Sequence, residues 1–250
     1  MDPVYNTLMA VPAGLALVML AVMVRRLARG ETIHRYAWAV AYGALGFILT
    51  LLGAVMTLTW PLSGPVAFDN IAFGEPSLAF GVILIAGSVL LGVDRFWRED
   101  PAGEAAVEIN RDAWPRFATL LQPLSWFGAA MGLALIAIAF VGPFFAPWEA
   151  PPHEPISGEF ADYPWLENAF IALMYAGIGV GAILMPFALA SRSIEKARGL
   201  LKAIATLFAL TGAVWVLFGA MNYYTHIGLT INTYEQQQAQ QTQQTQVYTP

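Results

Sequence analysis

Cysteine is absent from this chain. Its absence rules out structural disulfides, thiolate-held iron–sulfur clusters, covalent c-type haem and cysteine nucleophiles, and removes the usual clue to redox compartment. Charge is nearly as scarce: 12% of residues are charged and 58% are hydrophobic, where a soluble domain carries roughly 25% charged residues. A soluble fold this apolar would lack the polar surface it needs. Histidine occurs three times, at His34, His153 and His226, and none sits within a long apolar run, where haem ligation between facing helices would want it. Walker loops, dinucleotide fingerprints and nucleophile motifs are also missing.

What the chain does have is long apolar runs. Six span about 18 residues or more: roughly 7–24, 36–62, 77–93, 121–147, 168–190 and 203–224. At about 1.5 Å per residue, each can cross a hydrocarbon core of about 30 Å. The expected fold is therefore all-α, an integral membrane bundle of six transmembrane helices over residues 1–227, followed by a Gln/Thr-rich tail over 228–250.

The basic residues check that count. All 12 lie in three loops: Arg25, Arg26, Arg29 and Arg35; then Arg95, Arg98, Arg111 and Arg116; then Arg192, Lys196, Arg198 and Lys202. If six helices alternate in direction, these loops share one side, and loops rich in Lys and Arg stay cytoplasmic. The opposite surface has no Lys or Arg and carries Asp69, Glu75, Glu149, Glu154, Glu159, Asp162, Glu167 and Glu235. The expectation is a cytoplasmic-membrane protein with both termini extracytoplasmic. The first run, with Asp2 before it and arginines after it, has the wrong polarity for a cleaved signal and reads as a retained helix. Scattered cations explained by topology leave no basis for nucleic-acid binding.

The even charge spacing suggests three pseudo-repeats of a helix, basic loop, helix hairpin. Glycine spacing agrees: Gly46 and Gly53 in the second run and Gly212 and Gly219 in the sixth are two turns apart, as are Gly132 and Ala139 in the fourth. Small residues two turns apart share a face and permit close backbone approach. Trp38, Trp97, Trp114 and Trp126 fall near the cytoplasmic boundary and Trp60, Trp148 and Trp165 near the outer one, as interfacial anchors do; Trp215 lies mid-run, where its indole N–H needs a polar niche. The segment after Pro101 could form a short surface helix anchored by Trp114. On the outer side, Glu75-Pro76 and Glu167 stand at helix starts, where the dipole favours an acid.

No Asp, Glu, Lys, Arg or His lies in the middle of a run, which argues against an ion-coupled pump. A facilitator or binding cavity with a route past Tyr42, Thr50, Thr57 or Trp215 survives. An outer metal site could recruit His153, Glu154, Asp162 and His226. Asp69 and Glu75 could in principle pair as acid and base, without a substrate framework beside them. The tail is low-complexity and polar, and such segments stay unordered unless held by an assembly.

The stretch "TWPLSGPVAFDNIAFGEPSLAFG", residues 59–81, resembles the signature of an uncharacterised prokaryotic multi-pass membrane family, DUF981-like, which pairs a TWPLPG-like helix end with an FGEP…FG-like helix start. Ser63 replaces the expected proline. The resemblance implies a bacterial or archaeal membrane and no activity. The leading functional expectation is a non-catalytic accessory subunit of a larger membrane complex, docking other integral membrane subunits through Asp69, Glu75, Trp148, Trp165 and Tyr234. The alternatives are a channel, facilitator or small-molecule binder, and a metal- or redox-dependent enzyme component. The leading reading is non-enzymatic, with the enzyme alternative left open; it calls for no cofactor and allows bound lipid beside the surrounding bilayer.

Overall fold

A computed structural model describes residues 6–98 and 105–247. Each apolar run became a helix: α1 (Asn6–Arg29), α2 (Arg35–Thr59), α3 (Glu75–Gly92), α4 (Trp114–Phe145), α5 (Pro164–Leu189) and α6 (Ile194–Val247). All six are long and apolar enough to cross a membrane. One end of the bundle carries every basic residue and is called here the basic end; the other is the acidic end.

Proline and asparagine punctuate the acidic end twice in the same way. Trp60 and Ala146, at the ends of α2 and α4, take left-handed backbone angles (φ 48° and 45°). A proline follows each and cannot continue the helix. One residue later the chain is clamped by an asparagine from the next helix start. Asn70 Oδ1 accepts from the Leu62 N–H at 3.2 Å and its Nδ2 donates to the Leu62 carbonyl at 2.8 Å. Asn168 does the same for Trp148, at 3.2 and 2.5 Å. A bidentate amide substitutes for the backbone partners that a buried chain reversal lacks. Asn70 opens a π-helical turn (Asn70–Gly74) that leads into α3. Glu75 and Glu167 lie in the first turns of α3 and α5.

The glycine faces set the packing. Three antiparallel pairs are in intimate contact: α2 with α3, α4 with α5, and α1 with α6. A Cβ placed on Gly132 would stand 2.8 Å from the Gly179 carbonyl oxygen, and one on Gly14 would stand 2.6 Å from the Gly212 carbonyl oxygen. No side chain fits there, so backbones touch. The unit expected from the charge spacing, two helices joined by a basic loop, is thus not the tightest one. Close approach follows the small-residue faces, and these join helices across the acidic end and join the first helix to the last. Contact between α3 and α4 is sparse by comparison.

At the basic end the loops are built, not slack. Strand β1 (Ile33–His34) pairs antiparallel with β2 (Glu108–Ile109). Arg35 is wholly buried and donates to the Leu91 carbonyl (2.8 Å), the Ala106 carbonyl (2.5 Å), the Tyr36 hydroxyl (2.7 Å) and Asp94 Oδ1 (2.6 Å). The helix expected after Pro101 is replaced by β2 and a 3-10 turn, Arg111–Ala113. The strand pairing and Arg35 claim its backbone carbonyls; residues 99–104 lie outside the described set.

Two further expectations change. Trp97, Trp114 and Trp148 are buried and tie loops rather than meeting lipid. The first two donate their indole N–H to the carbonyls of Leu90 (2.7 Å) and Ser191 (3.0 Å), while Trp60, Trp126 and Trp165 are exposed as interfacial residues are. The polar tail, through Val247, continues α6 as one helix of 54 residues. Gln and Ala favour helix over strand, and an existing helix spares them the cost of nucleation. Residues 248–250 lie outside the described set.

Candidate functional site

Because the pairs are drawn in upon themselves, they leave a cavity of about 230 Å³ within the bundle. Small residues keep it open, among them Ala10 and Ala13 of α1, Gly87 of α3, Gly128 of α4 and Ala182 of α5. A Cβ on Gly87 would meet nothing within 4 Å. The remaining wall is almost wholly apolar: Leu17, Leu20, Ile83, Leu84, Leu124, Met131 and Leu135 are typical. Trp97 and Phe117 line it toward the basic end, and Phe73, Tyr175, Trp215 and Phe218 toward the acidic end.

The aromatic group is held firmly. The Tyr175 hydroxyl donates to the Ala72 carbonyl at 2.5 Å. Trp215 packs edge-on to Phe73, Tyr175 and Phe218 at ring separations of 6.4, 6.1 and 5.6 Å. Trp148 stacks on Tyr175 and donates its indole N–H to Asp69 Oδ1 at 3.4 Å. Asp69 and Trp148, expected to dock partners, are therefore turned to each other inside this plug. Glu75, Trp165 and Tyr234 are exposed.

Polar groups are few in the cavity wall, and most are occupied. Ser125 Oγ donates to the Gln122 carbonyl at 2.6 Å, and the Tyr42 hydroxyl reaches Met23 Sδ at 3.7 Å. Asn222 of α6 is not, and neither are the Ser77 hydroxyl of α3 and the Trp215 indole N–H of α6. Only 4% exposed, Asn222 lines the cavity, and among the described residues its amide makes no side-chain hydrogen bond. The lack of ionisable groups in the apolar runs does not point to it, since an amide does not titrate. The usable signal was a buried-type asparagine inside an otherwise apolar run, two turns beyond Trp215. Thr50 and Thr57, also expected on a polar route, do not line the cavity; both are half-buried beside Gly81 and Gly74 in the α2–α3 seam, with buried hydroxyls that have no partner.

A second polar group sits at the acidic end. Thr7 Oγ1 lies 2.6 Å from His226 Nδ1, and His226 Nε2 lies 3.6 Å from Glu154 Oε1. This chain ties α1, α6 and the loop between α4 and α5 together. Glu167, whose Oε2 is buried without a partner, lies within reach of the charges of Glu154 and Asp69. Of the metal candidates, only Glu154 and His226 come together. His153 and Asp162 are exposed, and the His153 carbonyl accepts from Asn232 Nδ2 at 2.8 Å. Among the described residues no group of three or more His, Asp or Glu is placed to hold a metal ion.

A family model described as "Protein of unknown function (DUF981)" matches residues 1–228. No curated protein and no solved structure matches the chain.

Proposed function

We propose that this chain, which belongs to the DUF981 family, is a multi-pass membrane protein that binds a lipid-like apolar molecule inside its helix bundle. The observation that carries the reading is the cavity of about 230 Å³ with its apolar wall. Interiors are normally packed to crystal density, and a void of this size lined by leucines, methionines and aromatic rings suits a hydrocarbon chain. Entry is from the bilayer between α3 and α4. Support for this route comes from their sparse contact and from Gly87 and Gly128, which keep the facing surfaces low. The membrane is the bacterial or archaeal cytoplasmic membrane, with the basic end inside and both termini outside, as Lys- and Arg-rich loops favour.

A second reading, an accessory subunit of a larger membrane complex, is favoured by one observation. The end of α6, glutamine-rich and exposed over residues 235–243, extends about 35 Å past its apolar part at 1.5 Å per residue, far enough to reach another subunit.

One extraction tests both. The protein is taken from its native membrane in a gentle detergent, and the band on a native gel is analysed for lipids and proteins. The expected result is a stoichiometric lipid-like molecule enriched over the bulk membrane, lost in Gly87→Phe, since Gly87 lines the cavity and a Cβ there meets nothing within 4 Å. Bulk lipid alone, unchanged by Gly87→Phe, overturns the binding reading. Proteins co-migrating at fixed stoichiometry support the accessory reading, and a band of this chain alone removes it.

A further inference from the structure

We infer that the cavity selects a lipid whose head is an uncharged, flat ring bearing a carbonyl or hydroxyl oxygen, seated between Asn222 and the aromatic group at the acidic end. This rests on the binding reading above and names its ligand class. A molecule arriving from the bilayer gains little by exchanging one hydrocarbon surrounding for another, because lipid tails are as apolar as leucine. Selection must therefore come from shape and from polar contacts that the bilayer core does not offer.

Asn222 is the one amide among the polar contacts on offer at the acidic end, and the Trp215 indole N–H, also without a side-chain hydrogen bond among the described residues, stands two turns from it. The other two well-buried asparagines, Asn70 and Asn168, are both fully engaged with backbone. Asn222, 4% exposed against their 0% and 3%, makes no side-chain hydrogen bond among the described residues. A buried amide left unpaired is costly, so such a group calls for an occupant. It both donates and accepts, which suits a carbonyl or a hydroxyl.

The head's charge and shape follow from its surroundings. All 12 Lys and Arg residues belong to the basic-end segments, so no cation meets an anionic head at Asn222; the acids of that end include Asp69, Glu154 and Glu167. Those acids do not line the cavity, so a cationic head has no counter-charge there either. Phe73, Tyr175, Trp215 and Phe218 present ring faces and edges on that wall, and offset or edge-on stacking favours a planar guest.

The test uses the full-length protein in detergent with two probes: a benzoquinone bearing a decyl chain, and decylbenzene, which has the ring and tail without oxygen. Thermal stabilisation is titrated for both. The quinone is expected to bind at least tenfold tighter than decylbenzene. Asn222→Leu, close to isosteric, should erase that preference while still binding decylbenzene. Trp215→Phe, which keeps a ring and loses the indole N–H, is a second variant should Asn222→Leu fail to fold, and should weaken quinone binding. Equal binding of both probes, or a preference untouched by Asn222→Leu, would mean that water alone serves the amide and overturns this inference while leaving the cavity reading intact. Binding of neither probe, together with an indifferent Gly87→Phe, overturns the cavity reading itself.

Discussion

Arg35 shows how much a single side chain can hold in a chain so poor in charge. It is wholly buried, and its donors satisfy two backbone carbonyls, one at the end of α3 and one in the loop carrying β2. Arg35→Met would leave both carbonyls without a donor, at about 1–3 kcal/mol each, and should lower the apparent melting temperature in detergent far more than Arg29→Met, whose guanidinium is on the surface. Asp94 closes the arrangement from the half-exposed side. Hydrogen bonds from the Tyr36 hydroxyl and then the Arg35 guanidinium hold its carboxyl below the usual aspartate range. A carboxyl held low contributes stability above its ordinary value of about 3.9 and loses it as the pH falls through the lowered one. The melting gap between the native protein and Asp94→Asn should thus be constant from pH 7 to pH 5 and shrink only below about pH 4. A gap that closes nearer neutrality would mean that another group carries the acid sensitivity. Nothing in the sequence marked Arg35 apart from its eleven basic companions, because its partners lie 56 and 71 positions away.

At the scale of helices, glycine serves two opposite ends. In the seams it lets backbones touch: a Cβ on Gly179 would lie 2.8 Å from the Gly132 carbonyl oxygen, and one on Gly212 would lie 2.6 Å from that of Gly14. Facing the cavity, Gly87 touches nothing. The same substitution should therefore have opposite consequences. Gly132→Ala and Gly212→Ala force α4 from α5 and α6 from α1, an overpacking that typically costs about 1–3 kcal/mol. Gly87→Ala should be neutral, or stabilise by up to about 1 kcal/mol through helix propensity. Detergent-unfolding midpoints of the three variants decide it, and equal losses at all three would mean that the seams are not where the helices are held. The seven-residue glycine spacing was visible in the sequence, and so were the faces. The helix each face would meet was not. Loop charge suggested partners across the basic turns, whereas steric fit chose partners across the acidic end, and fit between distant segments leaves no local mark.

For the molecule as a whole, what could be read from the sequence is what depends on the bilayer, and what could not is what depends on the interior. Six spans and their ends follow from the length of hydrocarbon to be crossed and from the cost of placing charge within it; both act locally, so the apolar runs and the helices nearly coincide. The cavity arises where three pairs fail to close on one another, a property of no single segment, and its one unpartnered amide acquires meaning only beside the two that are clamped. The direction in which the bundle sits is the remaining global property, and the missing cysteines make it directly measurable. With no native thiol to react, one introduced cysteine gives an unambiguous label. Thr242 and Glu31 are both exposed, Thr242 on the extension of α6 and Glu31 in the first basic loop. A membrane-impermeant maleimide applied to intact cells should label Thr242→Cys, and should label Glu31→Cys only after lysis. The reverse pattern would set the arginine-bearing loops outside and reverse the proposed orientation. It would also turn the Asn222 end of the cavity toward the cytoplasmic leaflet, so the same labelling identifies the leaflet in which the head of a bound lipid must lie.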